Sequence, residues 1–309
     1  MLFANLRFYR LPQPWGVSAT TLESWLQRRP ARPCGALEMK SLGFAPPREG
    51  SGLVYSLAGQ WLLALERDQK LLPSAVIRQV AADKAAVIEA EQGYAPGRKQ
   101  LRALREQSAD ELLPRAFTQR RRTHIWINPR DGWLGLDTGS AAGVDDALEA
   151  LTQSCDALPL SLVKTSNSAS SAMSEWLLNA AEDPGIDPFS IDQDCELKAQ
   201  GESQAAVRYV RHSLDGDEIR QHLAVGKRPT RLGLIWRDKL SFVLSEQLEI
   251  KRLRFLDDEP PEDAEDAGER FDADFALCSG ALTLLLPELP QALGGEVGTD
   301  HPENTASNS

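Results

Sequence analysis

The chain reads as an α+β protein. Three observations carry that reading. Alternating apolar runs flank tight turns, as in hairpins. Helical periodicities fall between those hairpins. No regular βαβ alternation runs through the 309 residues. Antiparallel pairing therefore dominates, with helices packed on mixed antiparallel sheets.

Residues 2–11 alternate loosely as a strand. Ser18 or Thr20 caps a short helix that turns Leu22, Trp25 and Leu26 inward. The Pro- and Gly-rich stretch 33–50 reads as loop. Leu53–Ser56 and Trp61–Leu65 flank Ala58-Gly59 as a hairpin. Pro73-Ser74 opens a helix whose apolar face holds Val76, Val80 and Val87 with Ile77, Ala81 and Ile88. Gly93 to Gly97, with Pro96, breaks it, and a second helix runs from about Arg98 to Leu112, where Pro114 ends it. Strands His124–Ile127 and Trp133–Asp137 enclose the turn sequence Asn128-Pro129-Arg130-Asp131-Gly132.

A short helix over Asp145–Leu151 and a strand over Leu158–Lys164 follow. The Ser/Asn-rich connection 165–171 is the best domain boundary, and Ser174–Ala181 is helical. This divides the chain into an N-terminal α+β region (1–165) with a helical, basic tip at about 66–122, a C-terminal α+β region (166–295), and a disordered tail (296–309). In the second region Ala206–Val210 is a strand, and Asp215 or Asp217 caps a helix through Ile219 and Leu223 that stops at Gly226. Leu232, Leu234 and Trp236, then Leu240, Phe242 and Leu244, alternate around Arg237-Asp238-Lys239 as a hairpin. Leu248–Phe255 is a strand with a bulge where Lys251-Arg252 breaks the period. Pro260–Glu269 is an acidic loop, and Ala273–Leu286 a buried helix.

The apolar content of 42% is that of a globular chain, and no apolar run is long enough to cross a bilayer. No secretory signal is legible at the N-terminus, and four scattered cysteines make no disulfide framework, so a reducing, cytoplasmic setting is expected. The net charge is −11, but it is unevenly spread. Arg67 to Arg130 carries 13 Lys/Arg against 7 Asp/Glu, and Val207 to Leu256 carries 11 against 6. From Asp257 onward there is 1 against 14. Two basic blocks and an acidic end attract different partners, whatever their sum.

Catalytic constellations are missing from the sequence. The four histidines make no HExxH, no GxSxG elbow occurs, and Gly226-Lys227 lacks the upstream glycine of a phosphate loop. No cofactor or metal is expected. One enzymatic alternative remains: Asp272 and Asp274, with the Asp257-Asp258-Glu259 run, are carboxylates of the kind nuclease metal sites use. A second alternative is a scaffold that binds protein through its acidic surface.

The basic residues carry more. Arg98, Arg102 and Arg105 fall at i, i+4 and i+7 beside Lys99, a row that matches a phosphate backbone. Arg78 and Lys84 lie on the preceding helix, and Arg115, Arg120, Arg121 and Arg122 follow. Arg208, Arg211, His212, Lys227 and Arg228 form the second group. No zinc finger, RNA-recognition signature or clear helix-turn-helix accompanies them. Phosphate contacts without base contacts carry no sequence information, so non-specific binding to duplex is expected, with single strands left open.

Several stretches resemble the bacterial recombination-associated RdgC family: MLFANLRFYRL at the N-terminus, LLPSAVIRQ (71–79), EAEQ (89–92), LLPRAF (112–117), KLSFVL (239–244), KRLRF (251–255), RFDADF (270–275) and ALGGE (292–296). The matches run in order over nearly the whole chain. The resemblance implies a non-enzymatic, nucleoid-associated DNA-binding protein. It implies an elongated, curved subunit that pairs head to head and tail to tail into a ring-shaped homodimer. The positively charged hole of that ring encircles duplex DNA and restrains RecA-promoted strand exchange. Phe117, in the intact LLPRAF, matches the family's aromatic at the tip contact between subunits. Arg211 and His212 stand where the family has a basic residue and a glutamine. After EAEQ the family carries a basic residue; here Gly93-Tyr94-Ala95-Pro96 intervenes before Arg98-Lys99. The acidic C-terminal stretch is expected to repel DNA and direct it inward.

Overall fold

A computed structural model describes residues 2–182, 186–201, 205–256 and 267–298. The Asp257-Asp258-Glu259 run, most of the acidic loop and the tail from 299 lie outside the described residues. In order the elements are β1 (Asn5–Arg10), α1 (Ala19–Leu26), β2 (Lys40–Ala45), β3 (Tyr55–Leu57), β4 (Gln60–Lys70), α2 (Ser74–Gln92) and α3 (Arg98–Leu112). A 3-10 turn at Leu113–Arg115 leads to β5 (Thr118–Asn128), β6 (Trp133–Leu136), α4 (Ala141–Ser154) and α5 (Ala169–Leu178). Then come β7 (Phe189–Ala199), β8 (Ala206–Tyr209), α6 (Asp217–Ala224), β9 (Lys227–Trp236), β10 (Leu240–Ser245), β11 (Ile250–Phe255) and α7 (Ala267–Ala292). The mixed α+β class stands.

The described strands form one sheet in the order β2-β4-β5-β6-β1-β11-β10-β9-β7-β8, with β3 on β4 and antiparallel pairing throughout. β1 is the seam. Its residues Arg7–Arg10 pair with β6, while Asn5 and Leu6 pair with Lys251 and Ile250 of β11. Its alternation feeds two cores on opposite faces. Leu6 and Phe8 enter the core under α5, α6 and α7; Tyr9 and Leu11 enter the core under α1 and α4. The second core ends at β1, for β7 to β11 send no side chain into it. On that side, the C-terminal half of the sheet carries no helix among the described residues.

α7 is the brace across the seam. Phe275, Cys278, Leu282, Leu285, Leu286 and Leu289 recur at helical spacing and are each at most 3% exposed. Each leucine so buried contributes about 1.5–3 kcal/mol. Tyr55 Oη donates to Asp272 near the start of the helix (2.6 Å), and Trp236 Nε1 donates to Glu288 near its end (2.6 Å). The helix runs on through Pro287 and Pro290, beyond the expected stop at Leu286, because Leu289 is still buried in the core.

Several expectations are corrected. β2 lies inside the stretch read as loop. Its Gly43 lets the backbone at Pro30-Ala31 pass directly over the strand, since a Cβ there would sit 2.4 Å from the Pro30 carbonyl oxygen. Leu158–Lys164 is not a strand; only Ser161 bridges to Arg10. α5 starts at Ala169, capped by Ser168, rather than at Ser174. α4 starts at Ala141 behind Ser140, and Gly216, not Asp215 or Asp217, caps α6. β7 occupies a stretch without a legible element. On α2 only Ala81 and Ala85 are buried, whereas Val76 and Val87 of the expected apolar face are 44% and 58% exposed. The Ser18 cap, the Arg98–Leu112 helix and the bulge at Arg252 (φ 54°) are as expected.

Arg10 closes the molecule. Its guanidinium lies 3.4 Å over the Trp133 ring, Nη1 donates to the Asp131 carbonyl (3.2 Å), and Nε donates to Glu296 Oε1 (2.9 Å). Ser166 N donates to Gly295 O and Val297 N to Lys164 O, so the end of the described chain is stitched to the centre. Removing one partner of a part-buried pair leaves the other uncompensated. Glu296→Ala should therefore cost about 3 kcal/mol, read as a lower urea midpoint at unchanged m-value.

His124 lies against Phe3, and burial, aided by the Arg122 charge, pushes its imidazole down to about 4. Its folded-state pKa is below the unfolded value, so its contribution is complete above about pH 6.5 and is lost as pH falls toward 4. His124→Phe should remove up to about 3 kcal/mol of that acid-side loss relative to the parent, measured as urea stability at pH 7 and pH 4.5.

Candidate nucleic-acid interface

α2 and α3 form a helical hairpin that stands off the sheet. Its own core is small: Ala81, Ala85 and Leu104, with Ile88 and Leu101 packed beside them. Gly93, at φ 79°, ends α2 in the left-handed conformation that glycine favours. The base is gripped by Lys70, only 5% exposed, whose Nζ donates to the carbonyls of Ala36 (3.0 Å) and Leu113 (2.6 Å). Leu101 and Leu104 face α2, which turns Arg98, Arg102 and Arg105 to solvent together with Lys99. Arg102 pairs with Glu106 (3.0 Å), and no carboxylate lies within ion-pair distance of Arg98, Lys99 or Arg105 among the described residues. On α2, Arg78 is exposed and Lys84 pairs with Glu111 (2.6 Å). Phe117, between the hairpin and β5, is 84% exposed.

The run Arg120-Arg121-Arg122 is not one patch. It lies on β5, so successive side chains take opposite faces. Arg122 and Arg120 flank Glu66 on one face, at 2.7 and 3.7 Å. Arg121 is directly opposite Arg67 on the other. Like charges opposed across strands repel, and Asp146 offsets this by accepting from Arg67 (2.9 Å) and Lys40 (2.7 Å). Burial alone would push the Asp146 carboxyl up; the two hydrogen bonds outweigh it and hold it below the usual carboxylate range. Arg115, exposed, lies in the 3-10 turn just before this strand.

The second group divides as well. Arg208 on β8 faces Glu196, which faces Arg231 on β9, a cross-strand row on the uncovered side of the sheet. Arg211 lines a pocket on that same side. Lys227 and His212 turn instead to α6, where Lys227 Nζ meets His222 Nδ1 (3.0 Å) and His212 Nε2 lies 3.4 Å from Glu218. Arg228 lines a pocket beside Ser168, Ser171 and Glu175 at α5. The strands thus separate residues that are adjacent in sequence.

The sequence reading missed most of the open face. Lys251 and Arg254 of KRLRF oppose Val243 and Ser241 of β10 and point away from the helices, and Arg252 sits in the bulge between them. Arg7 on β1 reaches the Gln247 carbonyl (2.7 Å) and lies 3.6 Å from Glu249. Among the described residues, Arg7, Lys198, Arg208, Arg211, Arg231, Lys251, Arg252 and Arg254 therefore stand on this side against Asp192, Asp194, Glu196 and Glu249. Polar-apolar alternation within β11 is the signal that places Lys251 and Arg254 there.

The carboxylates and thiols of the described residues are dispersed. Asp272 is held by Tyr55 and by Arg48 (2.9 Å), and on a helix a residue two positions on, here Asp274, points to a different side. No group of three His, Cys, Asp or Glu side chains is placed to hold a metal ion among the described residues. Burial pushes the Cys155 thiol up to about 11 and that of Cys195 to about 12, which leaves neither as a thiolate nucleophile. No helix among the described residues is long and apolar enough to cross a membrane.

Known proteins agree with the sequence resemblance. The family model described as "Putative exonuclease, RdgC" matches residues 1–296. The chain is 49% identical over 303 residues to a recombination-associated protein RdgC of Dechloromonas aromatica, covering 96% of this chain and 99% of that relative. It is 48% identical over 300 residues to the protein of the same name from a Janthinobacterium strain, with the same coverage. The Burkholderia cenocepacia protein of that name is 43% identical over 310 residues, covering 99% of this chain and all of the relative. With the family model spanning nearly the whole chain and identities this high at full length, the chain belongs to the RdgC family of recombination-associated proteins.

Proposed function

We propose that this protein binds DNA through its phosphates, without sequence preference, as a ring-shaped homodimer closed around duplex, and so restrains RecA-promoted strand exchange. One observation carries the reading: the side of β7 to β11 that no helix among the described residues covers is rich in cations, in a chain whose overall charge is −11. A net-acidic protein gathers guanidinium groups on one open face only against repulsion, and a polyanion relieves that repulsion. The α2–α3 hairpin adds the solvent-facing row of Arg98, Lys99, Arg102 and Arg105. Phe117 supports the ring, since a large exposed aromatic is a fit anchor for a pocket of a second subunit. The DNA is held by position and charge alone, and strand exchange is slowed because the duplex is occupied. RecA itself need not be touched, and nucleoid association follows from the DNA contact. The exonuclease description of the family model is the competing reading, and Mg²⁺-dependent loss of duplex ends would favour it.

Duplex binding across a salt series tests the proposal, with a linear fragment beside a closed circle and light scattering for mass. Expected are a dimer of twice 34.0 kDa, a steep negative slope of log affinity against log salt, and better retention on the circle. Arg98→Ala, Arg102→Ala and Arg105→Ala combined should flatten that slope by about 2–3, at roughly 0.9 per phosphate contact. Phe117→Ala should leave the subunit's secondary structure unchanged by circular dichroism, because the side chain is 84% exposed within the subunit, yet abolish the preference for circles. A monomer that retains no duplex at low salt would end this reading.

A further inference from the structure

A pocket of about 500 Å³ lies on the open face, lined by Asp192, Asp194, Arg211, Ser241, Arg252 and Arg254. Two irregularities of the sheet create it. β7 swells between Ile191 and Cys195, where Asp192, Gln193 and Asp194 stand against the single Gly233 of β9, and this lifts Asp192 and Asp194 out of the ladder. β11 bulges at Arg252. Asp194 then joins the two sides: Oδ2 lies 2.8 Å from Arg252 Nη2, and Oδ1 accepts the backbone N–H of Arg211 at 3.2 Å. Arg211 and Arg252 both hold the left-handed backbone, at φ 53° and 54°, which side chains other than glycine seldom take. Ser241 Oγ accepts from Arg254 Nε (3.0 Å) and leaves the other end of that guanidinium to the pocket. The Arg211 guanidinium has no carboxylate within ion-pair distance among the described residues.

We propose that this pocket seats one backbone phosphodiester of DNA, gripped by Arg211 and Arg254, with Arg252 fixed in place by Asp194; the inference rests on the DNA reading above. Three guanidinium groups against two carboxylates leave one net positive charge, the match for a monoanionic phosphodiester. Arginine presents paired N–H groups in a rigid fork that fits phosphate oxygens. The left-handed backbone at Arg211 and Arg252 fixes the direction in which each side chain leaves the sheet, as a preorganised contact requires.

Asp194→Asn separates this from a diffuse electrostatic field. A field predicts tighter duplex binding, because the variant gains one unit of positive charge. A seat predicts weaker binding, by about tenfold, because Arg252 is released. Arg211→Ala and Arg254→Ala should each flatten the salt slope by about 0.9, while Arg237→Ala, which removes an exposed arginine paired to Glu288, should not. The two arginine variants decide the matter even where Asp194→Asn lowers the melting temperature. The seat is overturned if Asp194→Asn binds duplex as tightly as the parent with an unchanged melting temperature, or if Arg211→Ala and Arg254→Ala match Arg237→Ala. Sub-millimolar binding of inorganic phosphate to the protein alone would reassign the pocket to a free anion and also overturn it. If the unaltered protein retains no duplex at low salt, the DNA reading itself fails, a result distinct from either.

Discussion

The sharing of β1 between two half-sheets is the constraint on which the rest of the molecule depends. Four of its residues bond to β6 and two to β11, so a strand of six residues unites sheets formed from both ends of the chain. A junction so narrow needs support. α7 supplies it on one face, with a stripe of buried leucines running from the Tyr55 end of the sheet to Trp236. Arg10 supplies it at the other end of the strand, stacked on Trp133 and bonded to Glu296. Because the brace lies on one face only, the opposite face of β7 to β11 carries no helix among the described residues, and one group of the molecule's cations is displayed there.

Ion pairing then decides which charges remain available. Glu66 occupies Arg120 and Arg122, Asp146 occupies Lys40 and Arg67, and Glu249 occupies Lys251 and Arg7. Among the described residues, those without an ion pair are a smaller set, chiefly Arg98, Lys99 and Arg105 on the hairpin and Arg208 and Arg211 on the open face. Exposed pairs contribute little to stability. Their larger effect is to fix where long side chains point, and Asp194 does this for Arg252.

Much of the fold was legible in the sequence. The Ser18 cap, the α2–α3 break at Gly93, the β9–β10 hairpin and the bulge in β11 were readable because each rests on local chemistry that a few adjacent residues express. β2 was not, since Gly43 is needed for a crossing by a segment thirteen residues upstream, and a glycine gives no sign of what passes over it. The family was readable from motifs spread along the chain. The arrangement of the basic residues was legible only in part. Counting arginines located the blocks, but strand alternation divides Arg120–Arg122 between faces and sends Lys227 to α6, and those outcomes depend on pairing partners far away in sequence. Lys251, Arg252 and Arg254 belonged to a recognised strand and were overlooked as a binding group.

The Lys70 grip at the foot of the α2–α3 hairpin has a mechanical consequence. A 19-residue helix is about 28 Å long, and this one is clamped at one end and held to its neighbour by a core of three buried residues. It therefore acts as a cantilever. A tilt of about 10° at the clamp moves the far end by about 5 Å, more than a side chain's breadth, while the sheet stays still. Compliance is thus concentrated in one appendage, and the arginines it carries can follow an uneven surface without any cost to the body of the protein.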